Sequence, residues 1–447
     1  MCGNVLWQYR QANCLHEPEG NEMSSPGQTI ITGIEFGTDK ICVIHGRPDQ
    51  NGNIEVLSFA SHPSRNSVVK GAIIDQNAAL NILKSVLEES EKGLDRKSSR
   101  ADRQVYFLIN GMYVSSRFGE GTVLNYNEDR KITEAHVSKA IENAKNLAVS
   151  TDLVNIQVYD SSFLLDGTKR TFNPIGKLAE KLTASIHVVF AEKKRIDMVQ
   201  TILRELGFES GYPVFAPLAD AYGVLTKDER NQGTLLFDCG AGVCSYVLLY
   251  REGVLMSGAI PTGVNNIAND LSVALELPYE FCQKFLRESM LKKLRDEGKN
   301  YLEYKASSGG ADKIRRIPLD SFERVMDLRQ HETFSLLKGE LERAKMLPYL
   351  RGSIVMTGGG SLIDSAPAIM MNVMGVPVRC GEAMNVTGAL SSFQNPMPCY
   401  AAILGLVKHA AVLEEDSPSG GGLGRTVVHA TDQLIDRLKD LGKAFKI

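Results

Sequence analysis

The sequence predicts a two-lobed α/β protein. Three observations predict it. Strand-like apolar runs alternate with amphipathic, helix-length runs over most of the chain, the pattern of sheets covered by helices. A strand, glycine bend, strand unit occurs twice, at Glu35-Phe36-Gly37 and at Asp238-Cys239-Gly240, each with an acid two residues before its glycine. The spacing of these units divides the chain into halves. A third glycine cluster, Thr357-Gly358-Gly359-Gly360-Ser361, lies between an apolar strand and a helical run.

The elements follow in order. Residues 1–28 carry no stable period and the only tryptophan, Trp7; they read as a loose extension, with Met1 and Met23 as alternative starts. ITGIEFGTDKICVI, from Ile30, reads as a β-hairpin bent at Gly37, and NIEVLSFASH as a further strand. Residues 76–92 place Leu80, Leu83, Val86 and Leu87 at helical spacing. QVYFLIN (104–110) is a buried strand, β-rich sequence runs to Leu124, and 133–149 is helical. NIQVYDSSFLLDG and ASIHVVFAE (184–192) are strands, and 193–208 is an amphipathic helix ending at Gly207. The second round opens with the hairpin at 233–253, followed by helices at 265–276 and 278–297 and a basic, Gly-containing insert at 298–320. A long helix at 320–346 precedes the strand, triple glycine and helix of 353–367; PVRCGE is a short strand and 398–413 an Ala-rich helix. EEDSPSGGGLG (414–424) reads as a flexible linker, and 425–447 regains helical period.

Composition bounds the function. The 447 residues allow about three domains, or two large split ones. With 43% hydrophobic and 23% charged residues the chain is an ordinary globular protein, not a largely disordered one. A net charge of −3 excludes a general nucleic-acid binder. The eight cysteines form no CxxC pair and read as small core residues in a reducing cytosol. No apolar run reaches the ~18 residues of a bilayer span, and no signal peptide opens the chain, so a cytoplasmic protein is expected. His136, His187 and His331 stand alone, so no His or Cys spacing marks a metal site. GxSxG and Walker-type GxxxxGK sequences are absent, which leaves serine-hydrolase and P-loop chemistry unsupported.

The three glycine clusters are the candidate chemistry. A glycine at a bend lets backbone N–H groups approach an anion, because no Cβ intervenes. Thr38 adds a hydroxyl and Lys40 a point charge beside Gly37; Gly240 and Gly242 repeat the logic after Asp238. Gly358, Gly359, Gly360 and Ser361 open toward a helix N-terminus, which suits phosphate and ribose. One such bend is usually just a turn. Three in this order describe two hairpins clamping a polyphosphate.

The order of hairpin, hairpin and strand-GGG-helix resembles the actin-like nucleotide-binding superfamily. Within it the chain resembles the FtsA family of bacterial cell-division proteins, through GIEFGTDK, VVKGAIID (68–75), INGMYVSS (109–116), FNPIGKL (172–178), ASIHVVFAE, APLADAYGVL (216–225), LLFDCGAGVCSYVLL, GAIPTGVNNIANDLSVAL (258–275) and SIVMTGGGSLI. The resemblance covers most of residues 29–412. It implies an actin-like, ribonuclease H-like two-domain fold with an FtsA-type inserted subdomain in place of one actin subdomain. The implied division is subdomain 1A at 29–101 and 187–231, inserted subdomain 1C at 102–186, subdomain 2A at 232–263 and 352–413, and subdomain 2B at 264–351. It also implies ATP, with Mg2+ held through water near Glu35 and Asp238.

The sequence departs from the family at both hairpins. Glu35 stands where the family usually has Asp. Ala241 and Val243 replace a glycine and a threonine, and Cys244-Ser245 replaces a hydroxyl-acid pair. Nucleotide binding with slow or absent hydrolysis is the expectation, against the alternative of a clamp that binds no nucleotide. Further implied partners are the C-terminal peptide of the tubulin-like protein FtsZ, other copies of the chain in a head-to-tail filament, and other division proteins at the cytoplasmic face of the inner membrane. The FtsZ peptide's acidic tail would meet Arg329, with Arg316 or Arg324, in a basic stretch (313–329) that otherwise reads as a solvated helix face. A pilus-assembly platform protein (PilM-like) and a small-molecule kinase of the same superfamily are the rival readings. Residues 425–447 discriminate against the first, and the altered second hairpin against the second.

The terminal helix can be read without the family. Val427, Thr431, Leu434, Leu438, Leu441 and Phe445, flanked by Val428, Ile435 and Gly442, form one wide apolar stripe. Arg425, Arg437, Lys439, Lys443 and Lys446 outnumber Asp432, Asp436 and Asp440 on the other face. This pattern suits anionic membrane lipid; the alternative is a helix packed on its own protein or on a partner.

Overall fold

The computed structural model describes residues 30–48, 53–94, 100, 103–146, 152–251, 253–308 and 311–415. The loose extension, most of the linker and the terminal amphipathic helix lie outside the described residues. The chain opens with β1 (Ile31–Phe36), β2 (Lys40–Pro48), β3 (Ile54–Pro63), the small hairpin β4 (Val68–Val69) and β5 (Ala72–Ile73), helix α1 (Gln76–Ser90) and β6 (Gln104–Ile109). An inserted unit follows: β7 (Val114–Leu124), α2 (Glu134–Asn146), β8 (Leu153–Leu165), β9 (Lys169–Thr171) and β10 (Lys181–Glu192). The chain returns through α3 (Lys193–Glu205), β11 (Tyr212–Phe215), α4 (Ala216–Val224) and α5 (Lys227–Gln232). The second lobe comprises β12 (Thr234–Cys239), β13 (Cys244–Tyr250), β14 (Gly253–Ile260), α6 (Val264–Leu275), α7 (Tyr279–Arg287), α8 (Met290–Asp296), β15 (Tyr301–Ser308), β16 (Ala311–Pro318), α9 (Leu319–Arg343), β17 (Ile354–Thr357), α10 (Ala366–Met374) and β18 (Val378–Cys380). Last come β19 (Val386–Gly388) and α11 (Ala401–Glu415).

The weak sequence repeat is a repeat of topology. The first sheet runs β11-β6-β1-β2-β3-β19 and the second β18-β17-β12-β13-β14. In each, the opening strand pairs antiparallel with the next and parallel with a later one: β1 with β2 and β6, β12 with β13 and β17. Glu35 and Asp238 are the fifth residues of β1 and β12. They stand opposite Cys42 and Ser245 across their hairpins.

Burial follows the apolar pattern. Ile34, Val43 and Phe107 on one face of the first sheet pack against Leu83 and Val86 of α1 and Val199 and Ile202 of α3. Asp75 caps α1, its carboxylate accepting from the Ala78 amide at 2.9 Å. Ile31, Ile44 and Val56 on the other face pack against Ala219 of α4 and Ile403, Leu404 and Val407 of α11. In the second lobe, Leu235, Phe237 and Leu248 meet Phe334 and Leu337 of α9 and Met370 of α10. The opposite face of that sheet, with Leu236, Val247 and Val355, packs on Leu218 and Val224 of α4. Helix α4 is thus wedged between the two sheets, and every residue in it but Tyr222 is buried.

Several boundaries differ from the sequence reading. β6 joins the first sheet, and β10 runs unbroken from 181 to 192 across the expected 186/187 division, so the inserted sheet occupies 114–192 rather than 102–186. Residues 386–413, expected in the second lobe, return to the first, and Glu414 and Glu415, expected in the linker, extend α11. β19 pairs with β3, and α11 buries its apolar stripe on the first sheet. The polar insert at 298–320 is the β15–β16 hairpin, and the helix at 278–297 breaks at Ser289, whose φ is +50°. Helices α4 and α11 cross at glycines: a Cβ on Gly405 would land on the Ala219 carbonyl oxygen. Gly405→Ala should therefore cost about 3 kcal/mol in urea unfolding. An unchanged midpoint would contradict this packing.

Candidate functional site

The two hairpins and the glycine cluster converge on one cavity of about 570 Å³ between the lobes. Glu35, Gly37, Thr38 and Lys40 line it from the first lobe; Asp238, Gly240, Gly242, Gly358 and Gly359 line it from the second. The tips are built alike. The Gly37 amide donates to the Lys40 carbonyl at 2.9 Å, and the Gly240 amide to the Val243 carbonyl at 3.1 Å. A Cβ on either glycine would sit 2.8 Å from that carbonyl oxygen. The tips also meet: a Cβ on Gly242 would lie 2.6 Å from Thr38 Oγ1.

The third cluster differs in part from the expectation. After β17, Gly358 turns with φ +78° and ψ 173°, and Gly359–Leu362 form a short 3-10 turn; the helix begins only at Ala366. Gly360 and Ser361 are buried, outside the cavity lining, and the Ser361 hydroxyl donates to the Gly358 carbonyl at 2.7 Å. They support the turn rather than face the cavity. Close packing explains the glycines: Gly358 abuts Asp238 and Gly360 abuts Cys239.

The electrostatics are unusual. Glu35, Asp238 and Asp220 converge here, and Asp220 was not singled out by sequence reasoning. Burial pushes the Asp238 carboxyl up to about 7, the Glu35 charge adding to it against the pull of Lys40 and a Ser245 hydrogen bond. Burial likewise raises Glu35, opposed by Lys40 and a Cys42 hydrogen bond, and holds Asp220 well above the carboxylate range, with Asp238 and Glu35 adding to the shift. Burial alone would lower Lys40, but the Glu35 carboxylate and its neighbours outweigh it and keep the ammonium charged. Lys40 Nζ donates to the Cys399 carbonyl at 2.9 Å and lies 4.9 Å from the Tyr400 ring centroid. Glu35 Oε2 and Asp220 Oδ2 are buried without any hydrogen-bond partner. Among the described residues no three His, Cys, Asp or Glu side chains stand close enough to ligate a metal directly.

The sign of the pH effect follows. These acids keep protons in the folded state at pH values where the unfolded chain has lost them. The contribution of Asp238 is full below about pH 4 and is lost as pH rises through about 7, and Glu35 and Asp220 shift in the same direction. Ligand-free protein should melt a few degrees lower at pH 8 than at pH 5.5, and Asp238→Asn should flatten that slope. Equal slopes in both proteins would contradict the assignment.

The cavity's second-lobe wall comes from α7, α8 and α9, including Phe285, Leu291 and Met326. Contacts that join the lobes beside it include Arg287 to Asp39 at 2.6 Å and the Asn110 amide to Ser245 Oγ at 3.1 Å. The arginines expected to meet an acidic tail lie apart from it. Arg316, on β16, pairs with Glu303 at 3.1 Å and stacks on Tyr301. Arg324, on α9, is exposed. Arg329, also on α9, is engaged by Asp270 at 2.5 and 3.0 Å and by Glu332 at 2.7 Å. Leu434, Ile435, Arg437, Leu438, Lys439, Leu441, Lys443, Phe445 and Lys446 lie outside the described residues. No helix among the described residues is long and apolar enough to cross a membrane.

Comparison with known proteins adds the family context. Residues 111–190 match the family model "SHS2 domain inserted in FTSA". The cell division protein FtsA of Pseudomonas aeruginosa is 25% identical over 419 residues, covering 92% of this chain and 96% of that protein. FtsA of Escherichia coli K12 is 25% identical over 391 residues, covering 85% and 90%. Among solved structures, the PilM-PilN type IV pilus biogenesis complex aligns with a TM-score of 0.57 at 16% identity, covering 87% of this chain and 99% of that one. ADP-bound MreB5 of Spiroplasma citri aligns with a TM-score of 0.51 at 12% identity, covering 88% and 100%. At such identities these two likenesses establish the fold alone. The expected resemblance and the actin-like α/β fold are both borne out.

Proposed function

From the premise of an FtsA-like chain on an actin-like fold, we propose a cytoskeletal adaptor of bacterial cell division that binds ATP with Mg2+ between its lobes. The observation that carries the ligand reading is the convergence of Gly37, Gly240 and Gly358 on one cavity beside Lys40. Backbone amides and one committed cation suit the phosphates, and the apolar wall from Phe285 to Met326 suits a base. Orphaned acceptors on Glu35 and Asp220 fit a hydrated divalent cation, which would neutralise charge on the phosphates. The ligand acts mainly by favouring the closed state in which copies of the chain assemble head to tail. Turnover is secondary, because Ala241 and Val243 present no hydroxyl to the cleft.

The adaptor role has two further arms. The outer face of the β15–β16 hairpin presents Tyr301, Ile314 and Arg316, and α9 adds Leu328 and Arg324; the three apolar side chains are exposed. Apolar groups beside arginines suit the acidic C-terminal peptide of FtsZ. Arg329 would join only by exchanging Asp270 for a peptide carboxylate. The stripe and cationic face of residues 425–447 hold the chain peripherally to anionic lipid at the division site, where other division proteins gather. Each large buried side chain contributes at most ~1.5–3 kcal/mol there, so binding is reversible and strengthens on assembly. All the curated FtsA relatives named above favour this reading over the pilus platform or the kinase.

Co-sedimentation with anionic liposomes, with and without FtsZ and ATP, tests the arms together. The full chain should pellet with lipid, carry FtsZ with it, and pellet more when ATP is present. Deleting 425–447 should reduce lipid binding at least tenfold; unchanged binding would refute the membrane arm.

A further inference from the structure

We propose that Asp220 is a third acidic ligand of the cleft, acting with Glu35 and Asp238 to hold a divalent cation through its hydration water. The inference rests on the reading of the cleft as a nucleotide site and assigns a role within it to a residue of α4.

Asp220 is out of place by every structural criterion. Helix α4 is buried between the two sheets, and the rest of it is Ala, Pro, Leu, Tyr, Gly and Val. Such a helix gains nothing from an acid. Asp220 is 1% exposed, is neither the cap of the helix nor part of an ion pair, and its Oδ2 has no hydrogen-bond partner. A buried, unpaired carboxyl is costly, so a bare structural role is a poor account of it. Yet the side chain lines the cavity, and Ala216, one helical turn earlier, lines it too and leaves the space beside Asp220 free of bulk.

The charge balance gives the ligand's sign. Glu35, Asp220 and Asp238 share one field; Lys40 offsets Glu35 and Asp238 and already donates to the Cys399 carbonyl. Arg287, Lys292 and Arg295, which also line the cavity, pair with Asp39, Asp364 and Glu323. Glu35 Oε2 and Asp220 Oδ2 are buried acceptors from different elements, both lacking donors. A further anion alone would leave both acceptors without donors; a hydrated divalent cation displaces the protons these acids otherwise keep and supplies donors from its water. The three carboxyls do not form a direct three-ligand cluster. The cation therefore meets them through water, as Mg2+, which retains several waters, commonly does. The charged groups that act on Asp220 are Asp238 and Glu35; Lys40 opposes the charges of those two.

The test uses the full chain and Mn2+ alone, followed by electron paramagnetic resonance. Asp220→Asn should weaken Mn2+ binding at least tenfold, while Asp228→Asn, the same change on exposed α5, should leave it unchanged. Equal Mn2+ affinity in wild type and Asp220→Asn would overturn the proposal. Should Asp220→Asn fail to fold, Fe2+-ascorbate cleavage of the wild type decides: cuts near 220 and 238 support the site, and cuts confined elsewhere overturn it. ATP binding in EDTA separates this claim from its premise. If wild type binds ATP and Asp220→Asn keeps the whole Mg2+-dependent gain, Asp220 is not a ligand although the nucleotide reading stands. If wild type binds no ATP but takes up Mn2+ in an Asp220-dependent way, the nucleotide reading fails and the cation site survives.

Discussion

Gly358→Ala should disable the cleft and destabilise the second lobe at once. The backbone there has φ +78° and ψ 173°, a region open essentially to glycine alone. An added Cβ would land on Asp238 Oδ1 and lie 2.7 Å from the Cys239 carbonyl oxygen. Neither neighbour can give way easily. Cys239 is buried in β12, and Asp238 is locked between β13 and β17 in the ladder. Backbone strain of ~1–3 kcal/mol and overpacking of similar size add to an expected loss of about 3–4 kcal/mol in unfolding free energy. ATP affinity should fall at least 100-fold, because the displaced Asp238 carboxylate occupies the cleft. Wild-type ATP affinity in the variant would mean that the glycine turn does not shape the ligand site. Gly359→Ala is the comparison. Its added Cβ would meet only Cys399 Sγ, at 3.8 Å, and φ is not in the left-handed range, so stability should change little.

Lys40→Met has a different signature, large in binding and small in stability. The substitution removes one hydrogen bond to the Cys399 carbonyl and the contact with the Tyr400 ring, together about 1–2 kcal/mol. The methionine keeps most of the aliphatic volume. The phosphates, in contrast, lose the buried ammonium nearest to the first hairpin, and ATP affinity should fall about 100-fold. Glu35 loses the charge that opposes its burial, so its carboxyl should hold its proton to higher pH. The two variants therefore separate geometry from charge: Gly358→Ala should lower both melting temperature and affinity, and Lys40→Met mainly affinity. Near-normal ATP binding by Lys40→Met would remove Lys40 from the site.

The hairpins were legible in the sequence because they combine two strong local signals. β-branched and apolar runs mark β1, β2, β12 and β13, and a glycine marks each bend. The acid two residues before each glycine made the internal repeat visible. Other features depend on contacts that no local pattern encodes. Helix α11 reads as an Ala-rich helix following the second lobe, and only its docking on Ile31, Ile44 and Val56 places it in the first. The β15–β16 hairpin alternates polar with apolar residues, Leu302 and Ile317 inward and Arg316 outward. Its charge therefore masked its strand period. Ser289 breaks a helix that has no proline at that point.

Asp220 shows the limit most clearly. In APLADAYGVL it reads as one polar residue in a connecting segment. Its significance arises only when α4 is buried on all sides and the acid is found to face Glu35 and Asp238. The available signal was a lone charge in an otherwise apolar helical run. Gly360 and Ser361 erred the other way: a glycine run looks like a ligand loop throughout, although here only its first two glycines reach the cavity.

Direct titration of the full chain with ATP in the presence of Mg2+, by calorimetry, tests the account most closely. A single site with micromolar affinity, weakened at least 100-fold by Gly358→Ala, is the predicted result. No detectable binding at millimolar ATP would contradict it.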